Sequence, residues 1–112
     1  MKIYHNPRCR KSREGLAILK EMNLDFEIVE YLKNPPSVKE LNELIKKLNI
    51  KPVELVRKNE AIWKENYKGK DLTDDEIIKA MAENPKLIER PIVITEHSAI
   101  LGRPPEIIRT IL

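Results

Sequence analysis

The residue best placed to do chemistry is Cys9, the only cysteine of the chain, set in Tyr4-His5-Asn6-Pro7-Arg8-Cys9-Arg10-Lys11-Ser12-Arg13. It follows a short apolar run, Lys2-Ile3-Tyr4, and precedes a segment patterned as a helix. At such a junction the N–H groups of the first helical turn point at an anion, and the helix dipole favours a thiolate over a thiol. Arg8, Arg10, Lys11 and Arg13 all fall within four residues of the sulfur and add positive charge. The competing reading of a lone thiol is a small buried filler. Polar neighbours on both sides make burial costly, which favours a reactive thiol.

Spacing limits what that thiol can do. A Cys-x-x-Cys pair would close its own disulfide, but Ser12 stands three residues after Cys9, so any redox cycle needs an external thiol. A phosphatase-type Cys-x5-Arg loop needs an arginine six residues on, and that position is Gly15. What remains is a solitary nucleophile in a cationic first turn, with the Ser12 hydroxyl one turn away and able to donate to the thiolate. Two separated histidines, His5 and His97, with one cysteine form no ligand cluster, so neither a metal nor a bound prosthetic group is expected.

Composition narrows the setting. At 112 residues the chain is long enough for one core and too short for two. A single cysteine excludes an internal disulfide framework and suits a reducing cytoplasm. The N-terminal strand pattern carries no apolar h-region, and no apolar run approaches a membrane span, so a cytoplasmic protein with no membrane partner is expected. Twenty-one basic and 18 acidic residues give a net charge of +3, mixed along the chain and clustered only around Cys9. A small anion explains that cluster better than nucleic acid, which would want aromatic platforms that are scarce here.

The elements that must position Cys9 follow from pattern. Residues 2–4 read as a strand and Arg10 to Met22 as a helix, with Leu16 and Leu19 at helical spacing and Asn23 as its stop. Asp25 to Glu30 alternates as a second strand, parallel to the first. Ser37 with Glu40 is a capping box opening a helix through Leu41, Leu44, Ile45 and Leu48. Pro52 opens a short helix ending near Arg57, and residues 58–71 are helical in part. Thr73 with Glu76 is a second capping box, for a helix that stops at Asn84-Pro85. Residues 92–95 and 99–101 form a hairpin around Glu96-His97-Ser98, and Gly102-Arg103-Pro104-Pro105 turns into a final helix, Glu106 to Leu112. This order predicts one α/β domain over residues 1–112: a thioredoxin-like fold with a mixed four-stranded sheet and a helical insertion at about residues 37–84. In such folds a cis-proline before the third strand faces the reactive cysteine, and Pro91 takes that place.

Five segments in order carry a family resemblance: Tyr4-His5-Asn6-Pro7-x-Cys9-x-x-Ser12-Arg13, Tyr31-Leu32-x-Asn34-Pro35-Pro36-Ser37, Leu55-Val56-Arg57-Lys58-Asn59, Arg90-Pro91-Ile92-Val93 and Arg103-Pro104. Over nearly its whole length the chain resembles the single-domain, glutaredoxin-dependent arsenate reductases and their relatives in the thioredoxin-like superfamily. The resemblance implies that Cys9 is the nucleophile, that Arg57, Arg90 and Arg103 hold the oxyanion, and that His5 helps depress the cysteine pKa. Read from the residues alone, His5 is equally a turn histidine bonding its own loop. Forked guanidinium groups suit a tetrahedral oxyanion such as arsenate and neutralise the charge a thiolate would repel.

The implied reaction is attack of Cys9 on arsenate with loss of hydroxide or water. Displacement by glutathione as co-substrate follows, and glutaredoxin then resolves the mixed species to release arsenite. The chain departs from arsenate-specific members in carrying Arg10-Lys11 where they have Gly-Thr, and larger side chains at the anion nest bear on which oxyanion fits. Spx-type regulators that bind RNA polymerase share the fold, but they typically carry Cys-x-x-Cys where Ser12 stands here. A thiol-transferase-like protein acting on glutathione mixed disulfides is the other alternative.

Overall fold

Short three-residue runs rich in isoleucine and valine build the sheet that carries Cys9. In the computed structural model, which describes residues 1–111, these are β1 (Lys2–Tyr4), β2 (Glu27–Val29), β3 (Ile92–Ile94) and β4 (Ala99–Leu101), in the order β2-β1-β3-β4. β1 and β2 are parallel with Ile3 opposite Ile28, and the β1–β3 and β3–β4 pairs are antiparallel with Val93 opposite Ile3 and Ile100. The central strands β1 and β3 are the buried ones, and edge strand β2 leaves Ile28 exposed. This is the mixed, four-stranded thioredoxin-like α/β arrangement that the element order predicts.

Helix α1 (Arg10–Glu21) lies on this sheet because its buried positions, Ser12, Gly15, Ile18 and Leu19, recur on one face. Ile18 and Leu19 join Ile3, Val93 and Ile108 in the core. Gly15 lets two side chains come in against the helix: a Cβ there would lie 2.8 Å from Pro91 Cγ and 2.9 Å from Ile108 Cδ1. Gly102 is crowded by the same pair, at 3.0 and 2.9 Å. Pro91 is thereby seated between α1 and the residue that follows β4.

Several boundaries differ from the sequence reading. β2 covers only residues 27–29, because the Glu30 carbonyl turns to accept the Lys33 and Asn34 N–H groups, both at 3.0 Å, and leaves the ladder. α1 ends at Glu21, and Asn23 follows in the left-handed region at φ 55°. The final helix is 3₁₀ (Pro105–Ile111), opened by a tight Ile107 N–H to Pro104 O bond of 3.1 Å. Its expected last residue, Leu112, lies outside the described residues.

The chain groups into two compact units, one formed by Met1–Asn34 with the residues from Arg90 onward, the other by Pro35–Glu89. The second unit is helical: α2 (Val38–Leu48), α3 (Ala61–Asn66) and α4 (Asp74–Glu83), with 3₁₀ segments Pro52–Leu55 and Pro85–Leu87. Both capping boxes close in both directions, Ser37 with Glu40 and Thr73 with Glu76. α4 packs on α2 and on both 3₁₀ segments, burying Leu41, Leu44, Ile77 and Met81. The Pro52 segment stops at Leu55, short of Arg57, because Val56 becomes extended and bridges Ile88. Within 58–71 only α3 is helical, with Trp63 stacked on Tyr67 at 5.5 Å. Among the described residues no helix is long and apolar enough to cross a membrane.

Candidate active site

The loop from β1 to α1 is held by its own polar groups. His5 N–H donates to Val29 O at 2.9 Å, fixing the loop's start to the end of β2. The Asn6 carbonyl accepts Cys9 N–H at 3.0 Å, its side-chain oxygen accepts Arg8 N–H at 3.0 Å, and Arg13 Nη1 donates to Pro7 O at 3.0 Å. Ser12 Oγ accepts Asn6 N–H at 2.9 Å and lies 2.7 Å from His5 Nδ1. These bonds set Cys9 as the residue preceding α1, with extended backbone (φ −95°, ψ 123°) and helix N–H groups ahead of it.

Cys9 is buried, with 8% of its surface exposed, which corrects the expectation that its polar surroundings keep the thiol out of the interior. The loop's polar groups satisfy one another, so burying the small side chain strands none of them. Burial is the largest single influence on the thiol and pushes it up. Against it stand the Ser12 N–H, the Arg90 positive charge, the Lys11 N–H and a hydrogen bond from Arg90, which together hold Cys9 below the ordinary thiol value.

Two expectations change here. What Ser12 offers the sulfur is its backbone N–H, since its hydroxyl is engaged by His5 and Asn6. The effective cation is the distant Arg90 rather than a sequence neighbour. Arg10 is turned outward to Glu14 at 3.0 Å and Arg13 to the Pro7 carbonyl, while Lys11 acts through its amide.

His5 is 5% exposed, and burial pushes its pKa down against the opposing pull of Glu30. A ring held below its ordinary value of 6.5 is neutral at neutral pH, and its polar contact is with Ser12. Arg90 is buried and precedes Pro91, and Arg103 Nε donates to the Arg90 carbonyl at 3.0 Å, joining two of the three sequence-selected arginines. The Arg90–Pro91 and Arg103–Pro104 peptide bonds are cis. Pro91 O accepts Gly102 N–H at 2.8 Å. Arg57 belongs to the helical unit, where its N–H donates to Leu87 O at 2.7 Å and its Nε lies 3.7 Å from Glu89 Oε1. His97 is exposed at the hairpin, 3.9 Å from Glu96. Among the described residues no group of three or more histidine, cysteine or carboxylate side chains could hold a metal.

Sequence reasoning missed the seat of Pro91 and the Arg103 clamp. A glycine inside a helix costs about 1 kcal/mol against alanine, so Gly15 was a visible sign of close approach. Nothing in the spacing of Arg90 and Arg103 signals that one side chain holds the other's carbonyl.

Residues 4–111 match the sequence model of the ArsC family. The chain is 45% identical over 112 residues to an arsenate reductase of Haemophilus influenzae, covering 98% of this chain and 97% of that one. It is 47% identical over 108 residues to a protein of Escherichia coli K12 described as uncharacterized protein YfgD, covering 95% and 91%. The solved structure of an arsenate reductase from Vibrio cholerae superposes with a TM-score of 0.94 at 46% identity, over 100% of this chain and 98% of that one. With matches that run the length of the chain and a fold shared at that level, this protein belongs to the ArsC family.

Proposed function

We propose that this protein reduces a tetrahedral oxyanion, arsenate, to arsenite, with Cys9 as the nucleophile and electrons drawn from glutathione and glutaredoxin. The observation that carries the reading is the buried Arg90 guanidinium hydrogen-bonded to the Cys9 sulfur, with its own carbonyl held by Arg103. A cation fixed beside a thiolate serves both halves of the first step: it keeps the sulfur ionised and offsets repulsion from an incoming anion.

In that step Cys9 Sγ attacks arsenic, an S–As bond forms, and one As–O bond breaks with the oxygen leaving as water after gaining protons. Arsenic remains As(V). A glutathione thiol then displaces a second arsenic oxygen as water, leaving As(V) bonded to both sulfurs. A glutaredoxin thiolate attacks the glutathione sulfur, forming an S–S bond while the S–As electron pair stays on arsenic, so As(V) becomes As(III) and two thiol sulfurs become one disulfide. Water then breaks the bond between Cys9 and As(III), releasing arsenite and returning Cys9 as a thiolate. Ser12 at the third position after Cys9 leaves the chain without an internal resolving thiol, which is why the second and third steps need outside partners. For Arg57 the support is the family resemblance alone, and its lysine variant joins the same assay.

The test is arsenate-dependent turnover with glutathione and glutaredoxin. Cys9→Ser is expected to abolish it. Arg90→Lys and Arg103→Lys keep the charge and lose the fork, and each is expected to cost on the order of 1.5–3 kcal/mol in kcat/KM. Absence of arsenate turnover in the wild type, or retention of it in Cys9→Ser, overturns the reading.

A further inference from the structure

The loop that presents Cys9 has a second face. A cavity of about 240 Å³ opens beside it, with Pro7 and Arg8 on one side and Glu30, Leu32 and Lys33 on the other, over the buried His5 ring. It lies past the carboxyl ends of two neighbouring parallel strands, β1 and β2, the end of an open α/β sheet where ligands characteristically bind. Nothing in the oxyanion chemistry uses it.

Its chemistry is specific. The apolar part comes from Pro7 and the exposed Leu32 side chain. Around that floor stand two cations, Arg8 and Lys33, and one carboxylate, Glu30, with Lys33 Nζ and Glu30 Oε1 3.7 Å apart and both side chains open to solvent. The volume falls just under the ~300 Å³ lower end of ordinary small-molecule sites, a size for a short peptide that leaves one end in water. A bare oxyanion would waste the apolar floor, and a purely apolar ligand would leave the charges unused. A tripeptide with two carboxylates and one ammonium matches two cations and one carboxylate in number and sign, with a short apolar methylene between them.

We infer that this cavity is the seat of the thiol co-substrate, binding the glutathione tripeptide with its carboxylates toward Arg8 and Lys33 and its ammonium toward Glu30. The inference rests on the glutathione-dependent reading above and adds a place for that molecule. Arg8 directly precedes Cys9, so a tripeptide held there brings its sulfur to the loop that carries the nucleophile.

Binding can be read without turnover. S-methylglutathione, which cannot react, is titrated into the ¹⁵N-labelled protein in the absence of arsenate. Saturable amide shifts centred on Arg8, Leu32 and Lys33 are expected, with Kd raised on the order of tenfold in Lys33→Glu and in Arg8→Glu. In the coupled assay Lys33→Glu should raise KM for glutathione by a similar factor while KM for arsenate stays near the wild-type value. The Lys33 side chain is 76% exposed, so the folded protein is available for both measurements. If arsenate is not turned over but these amides still shift, the cavity assignment stands and the arsenate reading falls. If glutathione supports turnover while S-methylglutathione shifts no amides there, or shifts others, the cavity assignment is overturned.

Discussion

Cys9 is drawn toward the thiolate by groups that reach it through space, so its variants should sort by geometry and not by sequence distance. Arg90→Met removes both the charge and the hydrogen bond that favour the thiolate, and should raise the Cys9 pKa, read from ultraviolet thiolate absorbance. Arg10→Met, in an outward-facing side chain paired with Glu14, should leave it near the wild-type value. Equal effects of the two would mean that the sulfur responds to the cationic cluster as a whole. His5 gives a stability prediction with a definite sign. Its folded pKa lies below 6.5, so between those two values the unfolded state binds the extra proton. The stability it contributes is present above 6.5 and is lost as pH falls through its folded pKa. Urea unfolding of His5→Gln should show a shallower decline on that acid limb than the wild type. The sequence disclosed Cys9 and the helix behind it, since both are local. It hid Arg90 as the effective cation, because proximity across the sheet leaves no mark in spacing, and it credited Arg10 and Arg13 with a role their own partners withdraw.

Secondary structure was most legible where a side chain closes its own helix end. Both capping boxes lie within four consecutive residues, and both form as read. Ser37→Ala should therefore cost about 1 kcal/mol, measured as a lowered urea midpoint with an unchanged slope. Shape was less legible where tertiary packing decides. In α1, Gly15→Ala would gain roughly 1 kcal/mol by helix propensity alone. The added Cβ would meet Pro91 and Ile108 closer than 3.0 Å, and overpacking of that kind costs about 1–3 kcal/mol. A lower Tm for Gly15→Ala is the expected result, and a higher one would show that the two side chains yield freely. The last helix tightens to 3₁₀ and β2 shortens for the same class of reason: backbone bonds at Ile107 and Glu30 override the apolar pattern that suggested a regular final helix and a longer second strand.

For the molecule as a whole, stability is expected to be graded outward from the sheet's centre. Ile3 and Val93 are fully enclosed on strands paired at both edges, whereas β2 has one open edge and an exposed Ile28. Native-state hydrogen exchange should find the slowest sheet amides in β1 and β3 and the fastest in β2; slow exchange along β2 would point to a cover on that edge. Element order conveyed this architecture, because a parallel pair followed by a hairpin admits few right-handed arrangements. The shared seat of Gly15, Gly102, Pro91 and Ile108 also constrains the order in which the sequence can change. A Cβ at either glycine would meet the same Ile108 methyl at 2.9 Å, so a larger residue at either position is penalised while isoleucine remains. Trimming Ile108 to valine first removes part of that obstacle for both. These sites are therefore epistatic, and a lineage that lost either glycine would bear the mark of an earlier change at 108.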